Sequence, residues 1–241
     1  MKKLILALAL TTALFSCKKE TSTPNNSGNN TIQNPTSGYG TNITDGEGNN
    51  YKTVYIGSQQ WMAENLKVTK YSDGTTIPNI IDNTQWQNDI SGAWSYYDND
   101  AANNAKYGKL YNWYAVSKTT NGNKNVCPTG WHVPTDAEWT VLTDYLGGQF
   151  VAGGKLKEEG TINWYSPNTG ATNTSLFTGL PGGFRSYGGS YMYMGNYGLW
   201  WSTSESGMDA ALNRNIFNGG GIVVSGNSSE TDGLSVRCLK D

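Results

Sequence analysis

Charge is scarce in this chain: Asp, Glu, Lys and Arg make up 15% of its 241 residues, with 17 basic side chains against 19 acidic. A weakly acidic chain lacks the positive field that nucleic acid or anionic lipid requires, so no nucleic-acid partner is expected. Histidine is scarcer still. His132 stands alone, so no second imidazole can complete a zinc site, and a serine triad on it would lack any Gly-x-Ser-x-Gly elbow. Phe is outnumbered by Tyr and Trp, 5 against 15 and 9, so most rings carry a hydrogen-bonding handle. No fixed-period repeat of the solenoid kind is present. No apolar run reaches the roughly 20 residues of a membrane-crossing helix.

The longest apolar run, Leu4 to Leu14, follows Met1-Lys2-Lys3 and leads into Phe15-Ser16-Cys17. A basic start, a short apolar stretch and a small residue before the cut form the pattern of a secretory signal. Leu14-Phe15-Ser16-Cys17 resembles a lipobox, which implies cleavage before Cys17 and acylation of its thiol. The expectation is a signal peptide over residues 1–16 and a membrane attachment through lipid on Cys17. Two or three acyl chains hold such an anchor firmly where one holds reversibly. Removing residues 1–16 takes two lysines and no acid, moving the formal charge from −2 to −4. Residues 17–43 are rich in Ser, Thr, Asn, Gly and Pro and offer little to bury, so they read as a disordered tether. Lys18-Lys19-Glu20 resembles the charged signal that sends some lipoproteins of the Bacteroidetes to the outer leaflet. The location implied is the outer membrane, periplasmic or surface-exposed.

With Cys17 committed to lipid, Cys127 and Cys238 remain. In an oxidising compartment they most simply form one disulfide, the alternative being two buried free thiols. Every Trp falls between Trp61 and Trp201, which places the packed domain over residues 44–241. Asp45 to Asn50 is turn chemistry; Tyr51–Ile56, Gly57-Ser58 and Gln59–Ala63 read as an opening hairpin. The stretch Gly108–Val116 fits a helix and a strand equally. Thr135-Asp136-Ala137-Glu138 spells a capping box, with Trp139, Leu142 and Leu146 on one face and Gly147-Gly148 as the stop. Leu234–Leu239 alternates as a final strand. The balance is α+β, loop-rich, with few helices.

DGEGNNYKTVYIGSQQWMAENLK, YGKLYNWYAV, VCPTGWHVPTDAEW, LPGGFR, WWSTSE and GLSVRCLKD, in that order, resemble the Fibrobacter succinogenes major paralogous domain. The resemblance covers about Asp45 to Asp241. It implies a branch of the C-type-lectin-like fold related to formylglycine-generating enzymes: a short twisted antiparallel sheet, one or two helices and long loops on one face. Members are mostly surface or secreted proteins without a settled activity.

Formylglycine-generating enzymes use paired active-site cysteines that bind copper, and Cys127 and Cys238 are the only two available here. His132 is expected to hydrogen-bond backbone at the helix entrance. Asp136, Glu138, Glu158, Glu159 and Glu205 are the carboxylates a glycosidase would draw on. Glu138 is explained by capping, and Glu158-Glu159 beside Lys155 and Lys157 reads as solvated surface. A non-catalytic domain without cofactor is expected. Asp98-Asn99-Asp100 with Asn103-Asn104, and Asp45–Asn49, are clusters of oxygens that calcium could use, but turn formation explains both and neither has EF-hand spacing. Binding is the remaining class. Arg185, Tyr187, Tyr191, Tyr193, Asn196, Tyr197, Asn213, Asn215 and Asn218, with Asn227, lie among glycines. Tyr with Ser, Gly and Asn supplies contact area at low entropic cost and adaptable hydrogen bonds, and it suits an extracellular glycan or protein. The alternative is a structural envelope lipoprotein without ligand.

Overall fold

The computed structural model describes residues 37–241. The signal segment, Cys17 and the tether as far as residue 36 lie outside the described residues. The chain then runs through β1 (Ser37–Tyr39), β2 (Ile43–Thr44), β3 (Asn50–Tyr51), β4 (Thr53–Ile56) and β5 (Gln59–Met62) to α1 (Asn83–Asn88) and β6 (Trp94–Ser95). Next come α2 (Asn104–Tyr107), β7 (Leu110–Tyr111), α3 (Trp113–Val116), β8 (Trp131–His132), α4 (Asp136–Tyr145) and α5 (Gln149–Leu156). Six strands complete it: β9 (Gly182–Arg185), β10 (Tyr191–Met194), β11 (Tyr197–Gly207), β12 (Ala210–Phe217), β13 (Val224–Ser229) and β14 (Leu239–Lys240). They form two five-stranded sheets, ordered β1-β4-β5-β14-β8 and β10-β9-β11-β12-β13, and two short ribbons, β2-β3 and β6-β7. The architecture is α+β with mostly antiparallel pairing; β9 and β11 run parallel.

Local signals account for several elements. Gly57-Ser58 reverses the chain so that Ile56 faces Gln59 and Val54 faces Trp61, as expected of the opening hairpin. Thr135 accepts from the Glu138 amide while Glu138 returns to the Thr135 amide, and the helix buries Trp139 and Leu142. The ambiguous Gly108–Val116 stretch divides between both readings. Leu110–Tyr111 is a strand, and Asn112 then caps a single helical turn by accepting from the Ala115 amide.

Two boundaries move. Ser37–Tyr39, assigned to the tether, pairs antiparallel with Val54–Ile56, and Ile43–Thr44 pairs with Asn50–Tyr51. Ser37–Tyr39 is therefore an edge strand of the first sheet, held by backbone pairing, while Ile43 packs against the apolar cluster that holds Met62 and Tyr111. The run Leu234–Leu239 is a strand only at Leu239–Lys240, with isolated bridges from Leu234 to Tyr111 and from Ser235 to Trp200. Its alternation is real, but both faces are buried. Leu234, Val236 and Cys238 enter one apolar cluster, with Met62, Tyr111, Trp113 and Trp201. Arg237 lies over Phe177 and Trp200, members of a second cluster that also holds Trp61, Trp139 and Leu239. Cys127 and Cys238 are bonded to each other, closing 111 residues.

A loop-rich chain buries many carbonyls that no ladder satisfies, and such groups need partners. Buried cations supply them here. The Lys157 ammonium, expected at the surface, is fully buried and donates to the carbonyls of Thr169, Phe217 and Gly220. Arg237 donates to Phe177 and Thr178 carbonyls and to the Asn65 amide oxygen. Lys109 donates to the Lys67 carbonyl and to Asn104 beneath the rings of Trp94 and Tyr96. Burial pushes the Lys109 and Lys157 amines down to about 8. Gly153 and Gly154 let α5 approach this knot, since a Cβ on either would collide with the carbonyls of Ile222 or Gly170.

Candidate functional site

The Tyr-rich segment folds as the edge of the second sheet. β10 pairs with β9, placing Met192 opposite Phe184 and Met194 opposite Gly182. Gly195 turns the chain into β11, where Tyr197 faces Phe217 of β12. This assembles a row of rings from four strands: Phe184 to Tyr193 at 6.0 Å, Tyr193 to Tyr197 at 5.2 Å, and Tyr197 to Phe217 at 5.9 Å between centroids. The row leaves the first core at Phe184, which packs against it, and reaches solvent at Tyr193, which is 50% exposed. Tyr165 joins from a preceding loop. Its amide donates to the Gly195 carbonyl, its ring lies where a Gly195 Cβ would come within 2.8 Å, and it is 61% exposed. Asn218 donates to the carbonyls of Tyr165 and Ser166, fixing that loop against the row.

Tyr193 has a φ of +64°, left-handed backbone that a bulky L-residue rarely adopts. Surroundings that over-determine a conformation can hold such strain, and it concentrates at functional positions.

The other expected binding residues divide. Arg185 is a correction: it is wholly buried and its donors are consumed internally, by the carbonyls of Gly189, Ile80 and Ile81 and by Asn83, with Trp86 and Tyr191 on its faces. It organises the sheet edge and presents nothing to a ligand. Asn213, 2% exposed, is likewise inside, donating to Ser228, and Asn215 donates to Asn213. Tyr191 is half-buried, its hydroxyl donating to Asn99 and its ring against Tyr97. Asn196 sits in the β10–β11 turn, its amide donating to the Tyr193 carbonyl. Tyr187 is exposed but belongs to a separate loop, held by the Asp232 carboxylate accepting from its amide. Burial raises Asp232 to about 6, against the opposing effect of the Tyr187 and Ser229 amides. Asn227 is exposed on β13.

Phe184, Phe217 and Tyr165 were not anticipated. The signal available for them is the absence of charge. Residues 160–184, 186–204 and 215–229, which build this face, contain no Asp, Glu, Lys or Arg.

Several of the groups suited to chemistry are engaged elsewhere. His132 differs from the expected backbone contact: Nδ1 lies 2.6 Å from Asp241 and Nε2 3.0 Å from Glu138, so the imidazole bridges two carboxylates. Asp136 pairs with Arg214, and Glu158 accepts from the Asn163 amide. Of the calcium candidates, Asp45 accepts from the amides of Glu47 and Asn49, the Asn49 side chain and the Tyr51 hydroxyl, and Asp100 caps the Ala102 amide. Turn and cap bonds occupy these oxygens.

No curated protein and no solved structure matches the chain. The sequence model of the Fibrobacter succinogenes major domain matches residues 54–240, agreeing with the motifs read along the same stretch. The chain therefore belongs to the Fibrobacter succinogenes major domain family.

Proposed function

We propose that this chain is an envelope lipoprotein, anchored through Cys17 at the outer membrane, whose family domain is a non-catalytic recognition module of C-type-lectin-like fold for a glycan or protein. The observation that carries the recognition reading is the row Phe184, Tyr193, Tyr197 and Phe217 with Tyr165 beside it, partly exposed at a sheet edge. Aromatic surface in contact with water, when contiguous, marks interaction sites more often than chance exposure does. Short strands, few helices and long loops favour the lectin-like assignment. The Leu14-Phe15-Ser16-Cys17 sequence supports the anchor.

Purified full-length protein, immobilised and offered to a glycan array and to isolated candidate surface proteins, tests the module. Retention that is lost when Tyr165→Ala and Tyr193→Ala are combined is the expected result. Absence of retention on every polymer and protein would return the chain to a purely structural role. Mass spectrometry tests the anchor separately, through acyl mass on an N-terminal Cys17.

A further inference from the structure

We propose that the outer side of α4 and the start of α5, carrying Val141, Tyr145, Phe150 and Val151, is the face by which the domain lies on the lipid surface that holds its anchor. This depends on the attachment through Cys17 proposed above and adds to it the orientation of the domain.

A surface helix ordinarily turns polar side chains to water. These two helices depart from that. On α4, Trp139, Leu142 and Leu146 are buried, while Ala137, Val141 and Tyr145 recur at every fourth residue and are exposed. On α5, Ala152, Gly153, Gly154 and Leu156 are buried, yet Phe150 is 73% exposed and Val151 about half exposed. The two sets adjoin at the turn between the helices: a Cβ on Gly147, two residues after Tyr145, would come within 3.2 Å of Val151 Cγ2. Residues 139–154 hold one charged side chain, Asp144. It lines a cleft on another side of α4, with Thr140, Gln149 and Arg214. The face is apolar and carries no cation for an anionic partner.

Its place in the fold indicates what covers it. The first described residue, Ser37, pairs with Ile56 at the turn end of β4. The next residue, Gly57, abuts this face, since a Cβ on it would lie 2.8 Å from Cδ2 of the Tyr145 ring. In the same hairpin Gln59 donates to the Glu138 carbonyl of α4. The chain leading from Cys17 therefore enters the domain beside the exposed apolar side chains. Twenty residues separate Cys17 from Ser37, a reach of at most about 70 Å.

Size distinguishes the occupants. Four side chains offer roughly a few hundred Å² of apolar surface, whereas a stable protein pair buries about 800 Å² on each partner. The patch is too small to capture a second copy from solution. It suffices for a domain already attached to a membrane, because attachment makes docking an intramolecular step at an effective concentration of order mM. Apolar side chains on an interfacial helix enter about 5–10 Å into the boundary between headgroups and acyl chains, and a tyrosine suits its margin.

All nine tryptophans are at most 6% exposed, so a tryptophan placed at Phe150 reports alone to a contact quencher. The full-length acylated protein is reconstituted in phosphatidylcholine vesicles with and without a nitroxide on the upper acyl chain. Phe150→Trp should lose roughly half of its added emission to the nitroxide, unaffected by salt. The parent should lose none, and nor should Met208→Trp. Met208 is exposed in the β11–β12 turn, beyond Ser204, which accepts from the Asp136 amide at the opposite end of α4. Adding Val141→Glu and Val151→Glu to Phe150→Trp should restore most of the emission while the vesicles still carry the protein on flotation. Both positions are half exposed, and circular dichroism verifies that the fold is kept. Flotation with Phe150→Trp quenched no more than Met208→Trp overturns the proposal and leaves the anchor in place. So does quenching that persists with both glutamates. A dimer by light scattering that the glutamates abolish, with no quenching, gives the face to a second copy instead. A protein that lacks acyl mass on Cys17 and does not float defeats the anchor reading, and this one with it.

Discussion

The guanidinium carbon of Arg185 lies 4.2 Å from the centroid of the Trp86 ring. That stacking, with four hydrogen bonds to Gly189, Ile80, Ile81 and Asn83, ties α1 to the edge of the Tyr-rich sheet. Arg185→Ala should destabilise the protein by about 3–5 kcal/mol, because several buried carbonyls lose their donors. Arg185→Lys should recover little, since one ammonium cannot reproduce the planar fork. Urea unfolding of both variants is the check; parental stability in Arg185→Lys would refute the account.

Tyr193 presents the opposite trade. Tyr193→Gly should leave stability unchanged or raise it by up to about 1 kcal/mol, by relieving left-handed strain. A clear fall in the melting midpoint would show that the ring's packing outweighs its backbone cost.

Asp232 supplies a pH signature. Its folded pKa, raised by burial to about 6, lies above the ordinary value of 3.8. The native state therefore binds the proton more tightly, so this group's contribution is fully present below about 4 and is lost as pH rises to about 6. Two units correspond to a loss of up to about 3 kcal/mol. Asp232→Asn should remove that slope. The measurement is the unfolding free energy of parent and variant at pH 4 and pH 7; equal differences at both would count against the assignment.

Reducing the Cys127–Cys238 bond should weaken the fold by as much as about 4 to 5 kcal/mol, the chain-entropy figure for a loop of order 100 residues. The bond joins residues 111 apart. Denaturant midpoints with and without reductant, or for Cys127→Ala with Cys238→Ala, report it. An unchanged midpoint would mean that the surrounding core already confines both ends.

What could be read in advance was local. The capping box at Thr135 and the reversal at Gly57-Ser58 need only neighbouring residues, and both form as expected. The disulfide followed from counting cysteines. Arg185, a lone cation among Gly, Ser and Tyr, and Lys157, beside Lys155, Glu158 and Glu159, both look solvated in the sequence. Only the folded loops reveal the carbonyls that converge on them. The aromatic row was half legible. Tyr193 and Tyr197 stood out in one segment, whereas Phe184, Phe217 and Tyr165 arrive through strand pairing and a loop contact. Ser37–Tyr39, Ser-Gly-Tyr, is not legible because an edge strand of three residues carries no apolar period.

Residues 234–239 pass between two cores and contribute side chains to each. Neither core can close while that segment is still being synthesised. Folding must wait for nearly the whole domain to emerge, and its nucleus must join distant parts of the chain, a topology that folds slowly. A chain stopped after Asp232 should accordingly show no cooperative unfolding transition by calorimetry. On the proposed lipoprotein route the delay would have a use: the polypeptide would stay unfolded, and so transportable, until its last strand had crossed.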